Sequence, residues 1–331
     1  MSRSKSASVS TLSIDERLAK KLVPVRAPGS HKWSVGGVLI VGGSPGYLGA
    51  PALAALAAGR SGAGVVSIAS PRSAMGAMAA IVPEASFLSL PEGDLGPGGE
   101  RAADKVRERL DRFKAIVVGP GLGDDSYADA IMSALTGPTA IARPTGSVGF
   151  SIARSVPVAN EPAASSSILG GALPAVIDAD GLNWLARQEG WNERFTPGSL
   201  VLTPHAAEMA RLTGLEIDEI LADSIGVASR FATEWKQTVV LKGGPTVVAT
   251  ANSVLIAESS PAALATAGSG DVLAGSIGAF LAQGLQPVDA AALAVFLGIR
   301  AAEALSRRFS PLGVVASDLP VAIAEALAGL V

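Results

Sequence analysis

The chain has 331 residues, a hydrophobic fraction of 49%, a charged fraction of 17% and a formal net charge of −3 at pH 7. With only 4% aromatic residues its core must be built mainly from Ala, Val, Leu and Ile, a composition suited to helices packed on a parallel sheet. The acidic balance and the lack of a basic stripe speak against nucleic acid as a partner, and the absence of cysteine excludes disulfides and cysteine-held metals and fits a reducing, cytoplasmic setting.

Residues 1–17 begin as a Ser-rich polar stretch with no apolar run, so they read as a disordered arm rather than a secretory signal. A short helix and a Pro-containing lead-in follow over 18–28. Residues 33–59 carry no charge, but Gly42-Gly43-Ser44-Pro45-Gly46 at their centre would break a membrane span. The segment reads instead as a strand (38–41), a loop and an Ala-rich helix (50–60), completed by a strand at 65–69 into a βαβ unit. Helices are expected over 101–112, 127–135, 182–188, 206–212 and 217–235, and strands over 115–118, 175–177, 200–202 and 238–241. Strands at 246–249 and 254–257 look like a hairpin across Asn252, and three Ala-rich helices close the chain over 270–283, 287–307 and 317–330. Residues 18–331 thus read as one domain with a doubly wound, mainly parallel sheet flanked by helices. The stretch 137–171, rich in Pro, Ser, Gly and Ala, is out of character and could be an insertion, a flap or an assembly element.

In open α/β sheets ligands bind beyond the carboxyl ends of the strands. Here those ends carry the glycines and polar groups. Gly42 to Ala50 is neither a Walker A loop nor a Rossmann fingerprint, and reads equally as a ligand cradle or a tight turn. Gly119-Pro120-Gly121-Leu122-Gly123 has more glycines than a plain turn needs. Thr203-Pro204-His205-Ala206-Ala207-Glu208 fits a helix start with Thr203 as N-cap, and His205 is one of two histidines. Lys242-Gly243-Gly244-Pro245-Thr246 could pair with a nucleotide phosphate or be a turn with a solvated cation. Gly268-Ser269-Gly270-Asp271 opens a long apolar helix; its N–H groups could form an anion hole, and Asp271 could take a proton from an attacking hydroxyl.

Gly-Ser-Gly-Asp opening a helix downstream of Lys-Gly-Gly-x-Thr resembles ribokinase-like small-molecule kinases. Other segments bring the chain closer to one group of that fold, the NAD(P)H-hydrate dehydratase family. These are Ser30-His31-Lys32, Val41 to Ser44, Gly49-Ala50-Pro51, Arg60 to Gly64, Pro83-Glu84, Val118 to Gly123, Asp178 to Asn183, Leu202 to His205 and Gly268 to Leu273. The resemblance runs from about Pro24 to the C-terminus, leaving out 137–171. It departs at Thr266-Ala267, where the family usually has Asn-Pro, and at Trp33-Ser34, where it usually has Gly-Asp or Gly-Asn.

The resemblance implies ADP- or ATP-dependent dehydration of (6S)-NAD(P)H hydrate, with Mg2+. The C6 hydroxyl would be phosphorylated and phosphate would then leave. It implies Asp271 as base with Gly268, Ser269 and Gly270 as the anion hole, and Ala50, Gly121, Gly123 and His205 beside Asp271 around the hydrate. It further implies Lys242, Gly243, Gly244, Pro245 and Thr246, with Gly270, on the nucleotide, and Asp178 and Asn183 orienting the pocket or the metal. A homotetramer is implied, as is a separate epimerase, because the chain has no room for the epimerase domain of many bacterial relatives. The rival readings are a true kinase of the same fold, which would leave a stable phosphoester, and a nucleotide-binding scaffold without turnover.

Overall fold

A computed structural model of the chain describes residues 10–92, 97–137, 168–171 and 173–331. Its strands are β1 (Ser10–Ser13), β2 (Gly37–Val41), β3 (Val65–Pro71), β4 (Ser86–Leu90), β5 (Ala115–Val118), β6 (Ala175–Ile177), β7 (Leu200–Leu202), β8 (Thr238–Leu241), β9 (Thr246–Ala249) and β10 (Ser253–Ala257). The helices are α1 (Glu16–Leu22), α2 (Lys32–Val35), α3 (Gly49–Arg60), α4 (Arg72–Ile81), α5 (Pro97–Arg107), α6 (Ser126–Thr136), α7 (Asp180–Leu185), α8 (Ala206–Thr213), α9 (Ile217–Ala222), α10 (Ser224–Trp235), α11 (Ser269–Ala282), α12 (Pro287–Phe309) and α13 (Leu319–Ala328).

All ten strands form one sheet in the order β1-β10-β9-β8-β7-β6-β5-β2-β3-β4. Only β9 runs against its neighbours, β8 and β10. The inner strands are apolar throughout because both faces of the sheet are covered. Alternate residues divide between two cores. Val38, Ile40, Val117, Val176, Val201 and Val240 face α3, α11, α12 and α13. Leu39, Val41, Ile116, Ile177, Leu202 and Val239 face α6, α7, α8 and α10. α11 lies so close to α3 that a methyl group on Gly275 would clash with the Ala54 carbonyl oxygen.

Three expectations from the sequence change. Within the arm expected over 1–17, residues from Ser10 onward are ordered: β1 pairs in parallel with β10, and Asp15 caps α1 by accepting the Leu18 N–H. The helix expected over 217–235 is two, because Asp223 leaves helical geometry and its carboxylate caps α10 at Gly226. Between 69 and 101, where no element was expected, α4 leads into β4, which extends the sheet to its far edge. Most of the atypical 137–171 stretch lies outside the described residues.

Candidate active site

The chain leaves β2 towards β3 and β4 on one side, then returns to β5 on the other. This reversal opens a crevice at the carboxyl ends of β2 and β5, the position ligands favour in such sheets. Both glycine-rich turns sit there. The Gly43 N–H donates to the Pro120 carbonyl at 3.0 Å, and the Gly119 N–H to that of Val41 at 3.1 Å. Gly121 adopts φ 61°, and a side chain there would meet Tyr47 and, at 3.2 Å, the Cβ of Ala50. The Gly123 N–H donates to Asp180 Oδ2 at 2.8 Å. Ala50, Gly121 and Gly123 therefore share one side of the crevice.

Next along the sheet, β6 ends in Asp178-Ala179-Asp180. Ala179 is held at φ 50°, ψ −119°, a strained conformation for a residue with a side chain. Asp180 thereby fastens the Gly123 turn, while buried Asp178 faces β7 and β8. Asp178 Oδ1 accepts from Thr203 Oγ1 at 2.7 Å and from Lys242 Nζ at 2.9 Å. Thr203 is therefore not the N-cap expected from the sequence; its hydroxyl is committed to Asp178, and His205 caps α8.

His205 Nδ1 accepts the Ala207 and Glu208 N–H groups at 3.1 and 3.2 Å, so it carries no proton in this arrangement. Glu208 completes the capping box: its Oε2 accepts the His205 N–H at 2.8 Å and lies 3.6 Å from Lys242 Nζ. Glu208 is buried and links the residue expected on the hydrate to the lysine expected on the nucleotide. The sequence reading assigned it no role, although the three-residue spacing from His205 was the available signal. Burial alone would lower the Lys242 pKa, but Asp178 and Glu208 outweigh it and hold the ammonium above the ordinary lysine value.

α11 brings its N-terminus to this cluster. Gly268 caps it at φ 92°, a left-handed conformation that glycine adopts without strain. Ser269 Oγ donates to the Leu264 carbonyl at 2.8 Å, so its hydroxyl braces the turn. The N–H groups of Gly270 and Asp271 have no partner among the described residues. A Cβ on Gly270 would stand 3.3 Å from Lys242 Nζ, so the missing side chain brings cation and helix end together. Burial, and then the charge of Asp178, push the Asp271 carboxyl up to about 7, with Lys242 partly opposing.

Beyond Lys242 lies a cavity of about 310 Å³, lined on one side by Lys242, Gly243, Gly244, Thr246, Ser269 and Gly270. Its apolar wall comes from Pro261, Leu264, Val295, Gly298, Ile299 and Leu319, none of which the sequence reading singled out. Pro245 does not line it. Asn183 is tied to Arg211 through a 2.8 Å hydrogen bond, apart from the Lys242 cluster. No helix among the described residues is long and apolar enough to cross a membrane.

The family described as NAD(P)H-hydrate dehydratase matches residues 38–139 and 158–325. The chain belongs to this family. It is 41% identical over 301 residues to the bifunctional NAD(P)H-hydrate repair enzyme of Salinibacter ruber, covering 89% of this chain and 49% of that protein. To the ADP-dependent (S)-NAD(P)H-hydrate dehydratase of Streptococcus pneumoniae it is 28% identical, covering 70% of this chain and 64% of that one. The chain spans about half the length of these bifunctional relatives. Among solved structures, the ADP/ATP-dependent NAD(P)H-hydrate dehydratase of Bacillus subtilis, co-crystallised with ATP and Mg2+, superposes with a TM-score of 0.74 at 25% identity, covering 98% of this chain and 99% of that one. A ribokinase-like superfamily protein of Enterococcus faecalis, with a TM-score of 0.75 at 21% identity over 97% and 96% of the two chains, has the same fold.

Proposed function

We propose that the chain dehydrates (6S)-NAD(P)H hydrate at the expense of ADP or ATP. The observation that carries the reading is Asp271. It is a largely buried carboxyl with a pKa pushed up to about 7, set in the first turn of α11 beside Lys242 and N–H groups that have no partner among the described residues. A base poised near neutral pH suits removal of a proton from an alcohol.

The terminal phosphate of the nucleotide would lie against Lys242 and the Gly268-Ser269-Gly270 turn, with the base and ribose in the apolar cavity. The hydrate would occupy the crevice between Ala50, Gly121, Gly123 and His205. Asp271 takes the proton of the C6 hydroxyl, whose oxygen forms the new bond to phosphorus as the bond to the remaining nucleotide breaks. Unpaired N–H groups at the helix N-terminus stabilise the charge that develops. The C6–O bond then breaks, phosphate departs with the electron pair, and loss of a ring proton restores the double bond. Hydroxide leaves poorly and phosphate leaves well, so kinase machinery achieves a dehydration.

The donor set suits Mg2+ as an ion carried on phosphate. Among the described residues Asp178 Oδ2 and Asp180 Oδ1 have no hydrogen-bond partner, and no cluster of three metal-ligating side chains is found. Mg2+ at phosphate sites is commonly held by one or two carboxylates, with phosphate oxygens and water completing its shell. Asp178 and Asp180 would hold it, and when bound it neutralises charge on the phosphates. A homotetramer acting in the cytoplasm beside an epimerase completes the proposal.

The test supplies hydrated NADH, Mg2+ and ADP or ATP and follows the return of reduced-nicotinamide absorbance. Nucleotide-dependent recovery is expected, with inorganic phosphate released. Asp271→Asn should lower kcat by about 10²–10⁴-fold while still binding nucleotide. Folded protein that binds nucleotide without recovering the absorbance, or that leaves a stable phosphoester, refutes the reading.

A further inference from the structure

At the opposite end of the sheet, beyond the amino ends of β2, β3, β4 and β5, lies a second cavity of about 430 Å³. It is separated from the reaction crevice by the length of the strands, roughly 15–20 Å. Three cations, Lys32, Arg109 and Arg112, line it with a single carboxylate, Glu84. None of these four side chains has a hydrogen bond or ion pair among the described residues. In a chain of net charge −3, three unpaired cations converging on one concavity create a local positive field.

The walls are built. The ring of Trp33 stands edge-on to buried Phe113 at 6.3 Å and 69°. Trp33 is 38% exposed, and its indole N–H has no acceptor among the described residues. α2, which carries Lys32 and Trp33, is locked by its capping box: the Ser34 N–H donates to His31 Nδ1 at 3.1 Å, and the His31 N–H to Ser34 Oγ at 3.0 Å. α2 also sits against Gly64, where any side chain would strike the Lys32 carbonyl. On the strand side the Ser67 and Ser86 hydroxyls hydrogen-bond to each other and close the cavity.

We infer that this cavity is a second, non-catalytic binding site for a nucleoside phosphate. The phosphate would lie on the guanidinium groups of Arg109 and Arg112 with Lys32 beside them, since guanidinium pairs readily with phosphate oxygens. The base would lie against the exposed indole of Trp33, and Glu84 would accept from a sugar hydroxyl. The volume falls in the range of small-molecule sites. Nothing in this assignment depends on the chemistry proposed at Asp271.

The other three tryptophans, Trp184, Trp191 and Trp235, are buried, so a ligand at Trp33 has a selective optical reporter. The experiment titrates the full chain with AMP and follows tryptophan emission. Calorimetry is run in parallel on Trp33→Phe to measure binding without the reporter. A saturable emission change is expected. It should persist in Gly298→Phe, a substitution into open space that fills the other cavity. Affinity should fall at least about tenfold in Arg109→Ala/Arg112→Ala. The exposed single variant Arg112→Glu gives the same comparison should the double variant be unstable. Inorganic phosphate should compete, and adenosine should bind more weakly than AMP. The inference is overturned if millimolar AMP gives neither an emission change nor heat. It is also overturned if Gly298→Phe abolishes the signal while Arg109→Ala/Arg112→Ala keeps it, because the nucleotide would then sit only at the reaction site.

Discussion

Asp271 links two measurable pH dependences. Its folded-state pKa is raised to about 7 from an ordinary 3.8, by burial first and by Asp178 second. In the proposed reaction the unprotonated form is the base, so kcat should rise with pH and level off above about 7, falling tenfold per unit further down. The same shift acts on stability with a definite sign. The folded chain holds this proton more tightly than the unfolded chain, so the stability it contributes is present at low pH and is lost as pH rises through about 7. Asp271→Asn removes a buried charge that the native fold must carry above that pH. The variant should therefore melt at a higher temperature than the parent at pH 8, with the gap closing towards pH 4. Melting curves across that range test the assignment without substrate, and a constant gap would refute it. The motif around Asp271 was legible because glycines and a carboxylate opening an apolar helix form a local pattern. For Glu208 the spacing signals only a capping partner of His205; its contact with Lys242, at 3.6 Å, was not legible because it depends on β7 and β8 lying side by side.

α11 carries the proposed anion hole, and its position depends on contact along its whole length. Gly275 faces the Ala54 carbonyl of α3, and buried Ser276 pairs with Ser61 Oγ at 3.0 Å. Gly275→Ala would push the two helices apart, a change that typically costs about 1–3 kcal/mol in a close-packed interior. It should also lower kcat, because the first turn of α11 would move relative to Lys242. Denaturant titration and kinetics on one preparation check both effects; unchanged stability would show that α11 does not need this contact. Element legibility follows from packing. The strands at 115–118, 175–177, 200–202 and 238–241 were readable to the residue because burial on both faces makes them continuous apolar runs. β4 escaped because edge-strand Ser-Phe-Leu-Ser-Leu is only partly buried, and α4 because no side chain caps its start. The apolar cavity wall escaped for another reason. Pro261, Val295 and Leu319 belong to three separate segments and meet only in the folded chain.

At the scale of the molecule the sheet has two free edges, and they are protected differently. β4 is short and broken by serines, which discourages pairing with another chain. The other edge would be β10, whose Ser-Val-Leu-Ile-Ala run is a ready template, were it not covered by β1. The cover is slight in sequence terms: Ser10–Ser13 pairs from Ser10 with Ser253 to Ser13 with Ile256, and the Ile14 N–H adds a bond of 2.8 Å to the Ile256 carbonyl. Leu12 is exposed on this strand while Ile14 is buried under it, so β1 guards the edge more than it builds the core. A chain beginning at Asp15 should lose about 1.5–3 kcal/mol from the burial of Ile14 and expose the β10 edge. It should associate in a concentration-dependent way, visible by light scattering, and unfold at lower denaturant. Turnover per folded molecule should stay unchanged, because β8, which leads into Lys242, is separated from that edge by β9 and β10. An unaltered denaturation midpoint with no association would mean that β10 needs no cover. Lost turnover in the folded, unassociated fraction would mean that the edge and the reaction crevice are coupled across the sheet.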